Sequence, residues 1–330
     1  MKRVLLIGGG GYVGAELQRH LISLGYTVRV FDTFWYSRGK WPAGSFQGSS
    51  RLEYINGDVR NLELIKGALR DVEYCIHLAC ISNDPSYELD PELAYQVNFE
   101  AFKSFIPLLN GSNVKRFVFA SSSSVYGVKM ETNVTEELSL EPLTDYSKYK
   151  VRCEQITLSE LNPNIVSTIL RPSTVCGYSR RQRFDLVVNI LTLSALRDGV
   201  IKVEGGDQFR PNLHIQDMLE SYSLVLNSPP LLINREIFNV AGENLTVRDI
   251  ALRVQKAVGP STKIEYLPVK DSRSYRVSGE KIYQRIGFRP RFNVDHAIAD
   301  LISAYEDNLF EDTNWSEFYN LKRMKEILNR

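Results

Sequence analysis

The stretch Val4-Leu-Leu-Ile-Gly8-Gly9-Gly10-Gly11-Tyr12-Val13-Gly14 decides the fold. A short aliphatic run enters four consecutive glycines and leaves into Val13–Leu24, where apolar residues recur at helical spacing. Strand, glycine turn and helix in that order form a dinucleotide-binding fingerprint. Two spacings fit it: Gly8, Gly11 and Gly14 at three-residue intervals, or Gly9, Gly11 and Gly14 as GxGxxG. Glycine serves because a pyrophosphate must approach the backbone closely, where a Cβ would block it. The helix N-terminus then offers N–H groups and partial positive charge to the phosphates.

Outward from this turn, the alternation continues. Arg3–Ile7, Thr27–Phe31, Leu52–Asn56, Tyr74–Leu78, Arg116–Ala120 and Val166–Arg171 read as strands. Val13–Leu24, Asn61–Leu69, Leu93–Leu108 and Tyr146–Leu161 carry helical periodicity between them. Near-continuous apolar strands separated by helices predict an α/β fold, a Rossmann-type doubly wound parallel sheet. Such sheets bind ligands at the carboxyl ends of their strands, so functional residues should follow each strand.

After Gly177 the alternation weakens. Arg180–Arg183 is basic, Asp185–Leu196 reads as a helix, and Gly205–Gly206 turns into the run Phe209–Ile215. Glu236–Val240 reads as a further strand and Val247–Val258 as a helix with Thr246 as its N-cap. The tail from Asp295 is mostly helical by pattern. These features predict a dinucleotide-binding domain over 1–177, with 236–259 packing back onto it. A smaller α/β substrate-binding lobe is expected over 178–330. No internal repeat or low-complexity linker separates the two.

Composition narrows the function. Hydrophobic residues make up 43% of the 330 and charged ones 24%, an ordinary globular balance. Forty basic against thirty-nine acidic residues give +1, so no overall charge draws the chain to nucleic acid or membrane. Acidic small molecules would have to be held by local arginines. Cys75, Cys80, Cys153 and Cys176 form no CxxC pair and have no histidine cluster, which argues for reduced thiols and against a metal site. The first apolar run is too short for a signal segment, and no run of about eighteen apolar residues occurs. A cytoplasmic location is the expectation.

Chemistry concentrates after the strands. Asp32 ends the second strand, eighteen residues beyond Gly14. A carboxylate there accepts hydrogen bonds from the adenosine ribose hydroxyls and repels a 2′-phosphate, which favours NAD over NADP. Arg38 and Lys40 follow closely and pull the other way. Asp58, after the third strand, suits either the adenine amino group or an N-cap for the next helix. Ser121-Ser-Ser-Ser-Val-Tyr-Gly127 follows the strand Arg116–Ala120. Twenty-four residues beyond Ser122, Tyr146 and Lys150 open a long helix four residues apart, on one face. A lysine ammonium there can lower the tyrosine pKa and supply a phenolate base, while Ser122 holds the reacting hydroxyl. Tyr36/Lys40 and Tyr266/Lys270 share the YxxxK spacing without the helix start.

Taken in order, these segments resemble the extended short-chain dehydrogenase/reductases, in their NAD-dependent nucleotide-sugar epimerase/dehydratase branch. The likeness covers the glycine turn, Asp32, Asp58-Val59, His77-Leu-Ala-Cys80, Val97-Asn98, the serine run, Tyr146/Lys150 and Leu170-Arg-Pro172. It continues through Phe209–Asp217, Phe238-Asn-Val-Ala-Gly242 and Asp271–Ile282.

The resemblance implies NAD contacts from Gly8, Gly11, Tyr12, Val13 and Gly14, then from Asp32, Thr33, Asp58 and Val59. Leu78, Ala79, Cys80, Asn98, Ala120, Ser121 and Pro172 would line the cofactor further along, with Tyr146 and Lys150 at the nicotinamide ribose. Ser122, Tyr146 and Lys150 would be the catalytic set. Ser82, Asn83, Ser122, Ser123, Ser124, Thr174, Leu186 and Asn189 would face a nucleotide-diphosphate sugar, and Arg210 and Arg273 would hold its diphosphate. The family also implies a homodimer built from Leu93–Leu108 and Tyr146–Leu161.

Departures from the pattern bear on the reaction. Family 4,6-dehydratases carry Asp-Glu directly after the catalytic hydroxyl residue, and here those places are Ser123 and Ser124. Family 3,5-epimerases place a cysteine two residues before the SVYG-type tyrosine, where Ser124 stands. Cys176 replaces a common tyrosine and Cys80 a common alanine. The implied activity is epimerisation by transient oxidation of a sugar hydroxyl, at C4, with Tyr146 as base. A nucleotide-sugar ketoreductase would use the same residues. A uronate decarboxylase could use Arg180, Arg181 or Arg183 on the carboxylate, and a non-catalytic NAD sensor would need no Ser–Tyr–Lys set.

Overall fold

The computed structural model describes residues 1–37, 50–268 and 274–329. Its first half builds β1 (Arg3–Ile7), α1 (Tyr12–Ser23), β2 (Thr27–Asp32), β3 (Leu52–Asn56), α2 (Leu62–Ala68) and β4 (Tyr74–His77). The short helices α3 (Asp84–Tyr87) and α4 (Pro91–Tyr95) lead into α5 (Ala101–Asn110). Then follow β5 (Arg116–Ala120), α6 (Asp145–Glu160), β6 (Val166–Pro172) and β7 (Thr174–Cys176). The second half adds α7 (Val187–Asp198), β8 (Val200–Glu204), β9 (Phe209–His214), α8 (Ile215–Asn227), α9 (Pro230–Ile233) and β10 (Glu236–Val240). The chain ends with β11 (Asn244–Thr246), α10 (Val247–Val258), β12 (Lys263–Leu267), α11 (Glu280–Ile286), α12 (Val294–Glu306) and α13 (Asn320–Leu328).

The main sheet has the order β10-β6-β5-β4-β1-β2-β3, with every neighbouring pair parallel. The order reverses between β1 and β4, and a crevice opens there beyond the strand ends. Both faces are covered, which is why the strands read as unbroken apolar runs. Leu6, Val30, Ile76 and Val118 pack toward α1 and α8 on one face. Leu5, Phe31, Cys75 and Phe117 pack toward α2, α5 and α6 on the other. Each fully buried side chain of this kind contributes about 1.5–3 kcal/mol.

The remaining strands form two small sheets: β11-β9-β7, and a parallel β12-β8 pair. A separate core of Val188, Leu191, Ile201, Ile250 and Ile298 joins α7, α10 and α12 beside them. Thr246 caps α10, accepting from Asp249 N, and Asp249 reaches back to Thr246 N.

One expected helix is not regular. The segment Leu93–Leu108 contains α4 and α5 joined by a widened π-helical turn over Gln96–Glu100. Asn98 sits in that turn, and π-bulges of this kind re-aim side chains near functional sites.

Candidate active site

The glycine turn is held from several sides. Gly8 N donates to Phe31 O at 2.8 Å, while Leu78 N and Ala79 N both donate to Ile7 O. Gly8 has φ +83°, and a Cβ there would stand 2.4 Å from Ala79 N. A Cβ on Gly14 would stand 2.5 Å from Gly9 O. These two glycines are therefore demanded by the protein's own backbone. At Gly11 the nearest atom would be Gly8 O at 3.5 Å, so this is the glycine that leaves room for a ligand. The N-cap of α1 is that same Gly11, with no side-chain cap and no acidic residue in the first turn. Its N–H groups are thus left for an anion.

Asp32 closes β2 and accepts from Gly10 N at 2.8 Å and Phe34 N at 2.7 Å. Burial raises its carboxyl above the usual range, against the pull of those N–H groups. The chain then turns through Trp35–Ser37, placing Trp35 and Tyr36 on the cavity wall. Arg38 and Lys40 lie outside the described residues. Asp58 does not cap α2, because Asn61 does, accepting from Leu64 N. Asp58 lines the cavity instead and accepts from the backbone and side chain of Arg60. Partial burial works to raise its pKa, but Arg60 holds it below the usual carboxylate value.

Tyr146 lies one residue into α6, which Thr144 and Ser147 cap reciprocally. Tyr146, at the start of α6, and Ser122, just beyond the end of β5, line the same cavity. Burial pushes the Tyr146 hydroxyl well above the ordinary phenol value. Cys80 and Asp84 push the same way, while Arg183 and the Ser122 hydroxyl oppose them. Lys150 Nζ lies 5.8 Å from the Tyr146 ring centroid and donates to Ala120 O at 2.7 Å. The lysine expected to tune the tyrosine thus spends a hydrogen bond on the end of β5.

A buried polar chain supports this corner. Ser121 Oγ donates to Glu154, which is paired to Arg171 at 2.6 Å. Arg171 also donates to Tyr126 OH at 2.9 Å, and Tyr126 OH donates to Asn239 Oδ1 at 2.8 Å. Four elements are tied together beneath the serine run.

A cavity of about 320 Å³ runs along the crevice. It gathers Gly8, Gly11, Tyr12, Val13 and Gly14 at the turn, then Asp32, Thr33, Asp58 and Val59. Leu78, Ala79, Cys80 and Ser82 follow β4; Ala120, Ser121 and Ser122 follow β5; and Tyr146, Lys150, Pro172, Thr174 and Leu186 complete the set.

Other expected residues are not on its wall. Asn98 is engaged with the chain itself, accepting from Ile81 N at 2.8 Å and donating to Ile81 O, so it fixes the loop after β4. Asn83 caps α3 and donates to Asp185 at 2.9 Å. Ser123 is buried beside Tyr275, and the Ser124 hydroxyl is buried without a partner. Asn189 is fully buried, accepting from Gly177 N and donating to Arg183 O and Tyr12 OH. Arg210 lies on β9 and donates to Phe209 O, away from the cavity. Arg273 falls outside the described residues.

Several wall residues escaped the sequence reading. Tyr36 carried only a chance YxxxK spacing, and Asn320 had no local signal because α13 reaches the cavity from the far end of the chain. Met218 and Tyr222 on α8 were hidden by an ordinary amphipathic pattern. Of the basic run, Arg180 pairs with Glu16 on α1, while Arg181 and Arg183 enter the cavity. Cys80 also faces it, whereas Cys75, Cys153 and Cys176 are buried.

The model of the NAD-dependent epimerase/dehydratase family matches residues 4–241, from the first strand through the seventh strand of the sheet. The chain belongs to that family. NAD is the cofactor of this epimerase/dehydratase relative, and the open Gly11, the uncapped α1 and the buried Asp32 provide the donors and acceptor it needs.

Among its relatives, a UDP-glucose 4-epimerase of Lactobacillus helveticus is 26% identical over 90% of this chain and 95% of that enzyme. UDP-glucuronic acid decarboxylase 2 of Arabidopsis thaliana is 24% identical over 94% of this chain and 69% of that enzyme. The fold matches that of a Bacillus cereus UDP-glucuronic acid 4-epimerase bound to UDP-glucuronic acid and NAD. That likeness has a TM-score of 0.82, 23% identity and coverage of 92% of this chain and 99% of the other. A Streptomyces venezuelae dTDP-glucose 4,6-dehydratase matches with the same TM-score at 22% identity, over 93% of this chain and 98% of that one. Among the described residues no helix is long and apolar enough to cross a membrane.

Proposed function

We propose that this family member is a nucleotide-sugar epimerase that works by transient oxidation of a sugar hydroxyl, at C4. The observation that carries the reading is that Ser122, Tyr146 and Lys150 share the wall of the cofactor cavity, with Lys150 one helical turn from Tyr146. NAD held there would supply reversible hydride-transfer chemistry. Tyr146 takes the proton of the sugar hydroxyl and gives it back, and Ser122 steadies the oxygen. Lys150 and Arg183 supply the positive charge around the phenolate.

Dehydration is disfavoured at the residue level. The places where family dehydratases keep Asp-Glu are Ser123 and Ser124, and neither lines the cavity here. No carboxylate follows Ser122 to move the protons that water loss requires.

We also propose that the enzyme binds a nucleotide-diphosphate sugar and works as a homodimer through the α4–α5 and α6 surfaces. Arg210, and Arg273 beyond the described residues, remain our candidates for the sugar's diphosphate.

The test is incubation of the purified enzyme with a nucleotide-sugar panel in D₂O without added cofactor. Interconverted sugar isomers carrying no solvent deuterium are the expected result. Deuterium at C5 or C6 would indicate a dehydratase, and turnover only with added NADH and a keto sugar would indicate a reductase. Either result would displace the epimerase reading.

A further inference from the structure

Arg181 is a buried cation that the described side chains do not neutralise. It is 6% exposed, whereas its neighbours Arg180 and Arg183 each pair with a carboxylate at 2.7 Å. Its Nε is buried without a partner, and one Nη donates to Asn320 Oδ1 at 2.6 Å. The guanidinium lies 4.3 Å from the Tyr36 ring centroid, and the Tyr36 hydroxyl is also buried without a partner. Both residues line the cofactor cavity. Burying a guanidinium without an anion is costly, and burial lowers its pKa to about 10. A perturbed, unsatisfied group in a cleft marks a place where a ligand supplies the missing partner.

Its position says which ligand group. The segment before it is fastened to the first turn of α1. Tyr12 OH donates to Gly177 O at 2.7 Å, Ser179 Oγ to Tyr12 O at 2.8 Å, and Arg180 N to Glu16 at 2.8 Å. The next residue, Arg181, lines the same cavity as Gly11 and Tyr12 at the uncapped N-terminus of α1, where a dinucleotide's phosphates lie. Asp32 is near enough to act on the guanidinium electrostatically. Tyr36, whose ring lies against the guanidinium, follows Asp32 by four residues, which puts Arg181 toward the adenosine side of the cavity.

We propose that Arg181 binds the diphosphate bridge of NAD from the side opposite α1, so that the cofactor is clamped between the glycine turn and this arginine. Guanidinium and phosphate are well matched for charge-assisted, paired hydrogen bonds. Asn320 positions the clamp: its amide donates to Ser82 Oγ at 2.9 Å while its oxygen holds Arg181. Its helix, α13, is held down by Arg323 Nε donating to Trp35 O at 2.6 Å. The C-terminal helix thus completes a cofactor site that begins at residue 8. The assignment rests on reading this cleft as the NAD site, and it is independent of which sugar reaction follows.

The experiment compares wild type with Arg181→Met and Arg181→Lys as purified holoenzymes. NAD content is measured after release, and NAD dissociation is followed by chase with isotope-labelled NAD, with no substrate present. Displacement of NAD by ADP and by adenosine is measured alongside, with thermal unfolding of the cofactor-free proteins. Arg181→Met should lose NAD about tenfold to a hundredfold faster, the span of one or two hydrogen bonds to a charged group. ADP should weaken by a similar factor, adenosine should not, and Arg181→Lys should fall between. The cofactor-free Met variant should unfold at the same temperature as wild type or higher, because a costly buried charge is gone.

Unchanged NAD release would overturn the assignment. So would equal losses for ADP and adenosine, which would mean a packing role, and so would a loss confined to UDP or a nucleotide sugar. Because no turnover is read, a failed epimerase assay and a failed clamp are separate results.

Discussion

Arg183 and Tyr146 line the same cavity, and the Arg183 charge opposes the burial that raises the Tyr146 hydroxyl. Lys150 shares the helical face of Tyr146, but its ammonium donates to Ala120 O at 2.7 Å. Arg183 reaches the same cavity from the second half of the chain, braced by Asp185 at 2.7 Å and within 3.4 Å of Ser82 Oγ. A positive charge favours the phenolate and so lowers the tyrosine pKa. Removing it raises that pKa further, so the ascending limb of the pH–rate profile must move to higher pH. Arg183→Gln is expected to show this alkaline shift in kcat, with activity recovered as pH rises. A profile that stays in place while the rate falls at every pH would assign Arg183 to substrate binding alone.

In the proposed mechanism the Tyr146 hydroxyl moves a proton, so its loss should spare binding and remove chemistry. Tyr146→Phe keeps the ring and deletes only the hydroxyl that faces the cavity. General acid–base catalysis is worth about 10²–10⁴-fold, and kcat should fall within that span. NAD content and nucleotide-sugar affinity should stay within a few-fold of wild type. A variant that retains full turnover would remove Tyr146 from the mechanism, and unchanged biological function alongside retained NAD would favour a sensor.

Beneath the serine run, Arg171 and Glu154 are both buried and paired at 2.6 Å. Removing one partner strands the other charge, at a cost of about 3–5 kcal/mol. Arg171→Met should lower unfolding stability by that order in denaturant titration. The double variant Arg171→Met, Glu154→Gln should recover part of the loss, since no stranded charge remains. Equal stability of the single variant and wild type would show that the pair does not hold this corner.

The sheet was legible because its strands are buried on both faces, and β-branched runs between helical periods have few other meanings. The cavity-wall positions of the glycine turn, Asp32 and Tyr146 were legible because they follow local spacing: the turn follows β1, Asp32 ends β2 and Tyr146 opens α6. What escaped depends on long-range packing. Asn320 reaches Ser82 and Arg181 across 238 and 139 residues, and no local pattern encodes such a meeting. Asn98 and Asn189 lie off the cavity wall for the converse reason. A polar residue at the right spacing satisfies a backbone group as readily as a ligand, and both amides are spent on their own loops.

The assembly offers a last prediction. Tyr95 at the end of α4, Phe99 in the widened turn and Tyr149 on α6 meet with ring centroids 5.3–5.7 Å apart. All three are half-buried, and the exposed Arg152 lies over Phe99 and Tyr149. Aromatic rings with an arginine at a surface are the groups that carry most binding energy when a partner covers them. Tyr149 is three residues from Tyr146, so ordering this face also steadies the helix that presents the base. The wild type should run in light scattering at twice its 37.7 kDa chain mass. Phe99→Asp should shift it to the single-chain mass, because an unpaired carboxylate cannot be buried there cheaply. A wild type that is already single-chain at micromolar concentration would remove the homodimer, and a Phe99→Asp variant that stays dimeric would move the interface to another face.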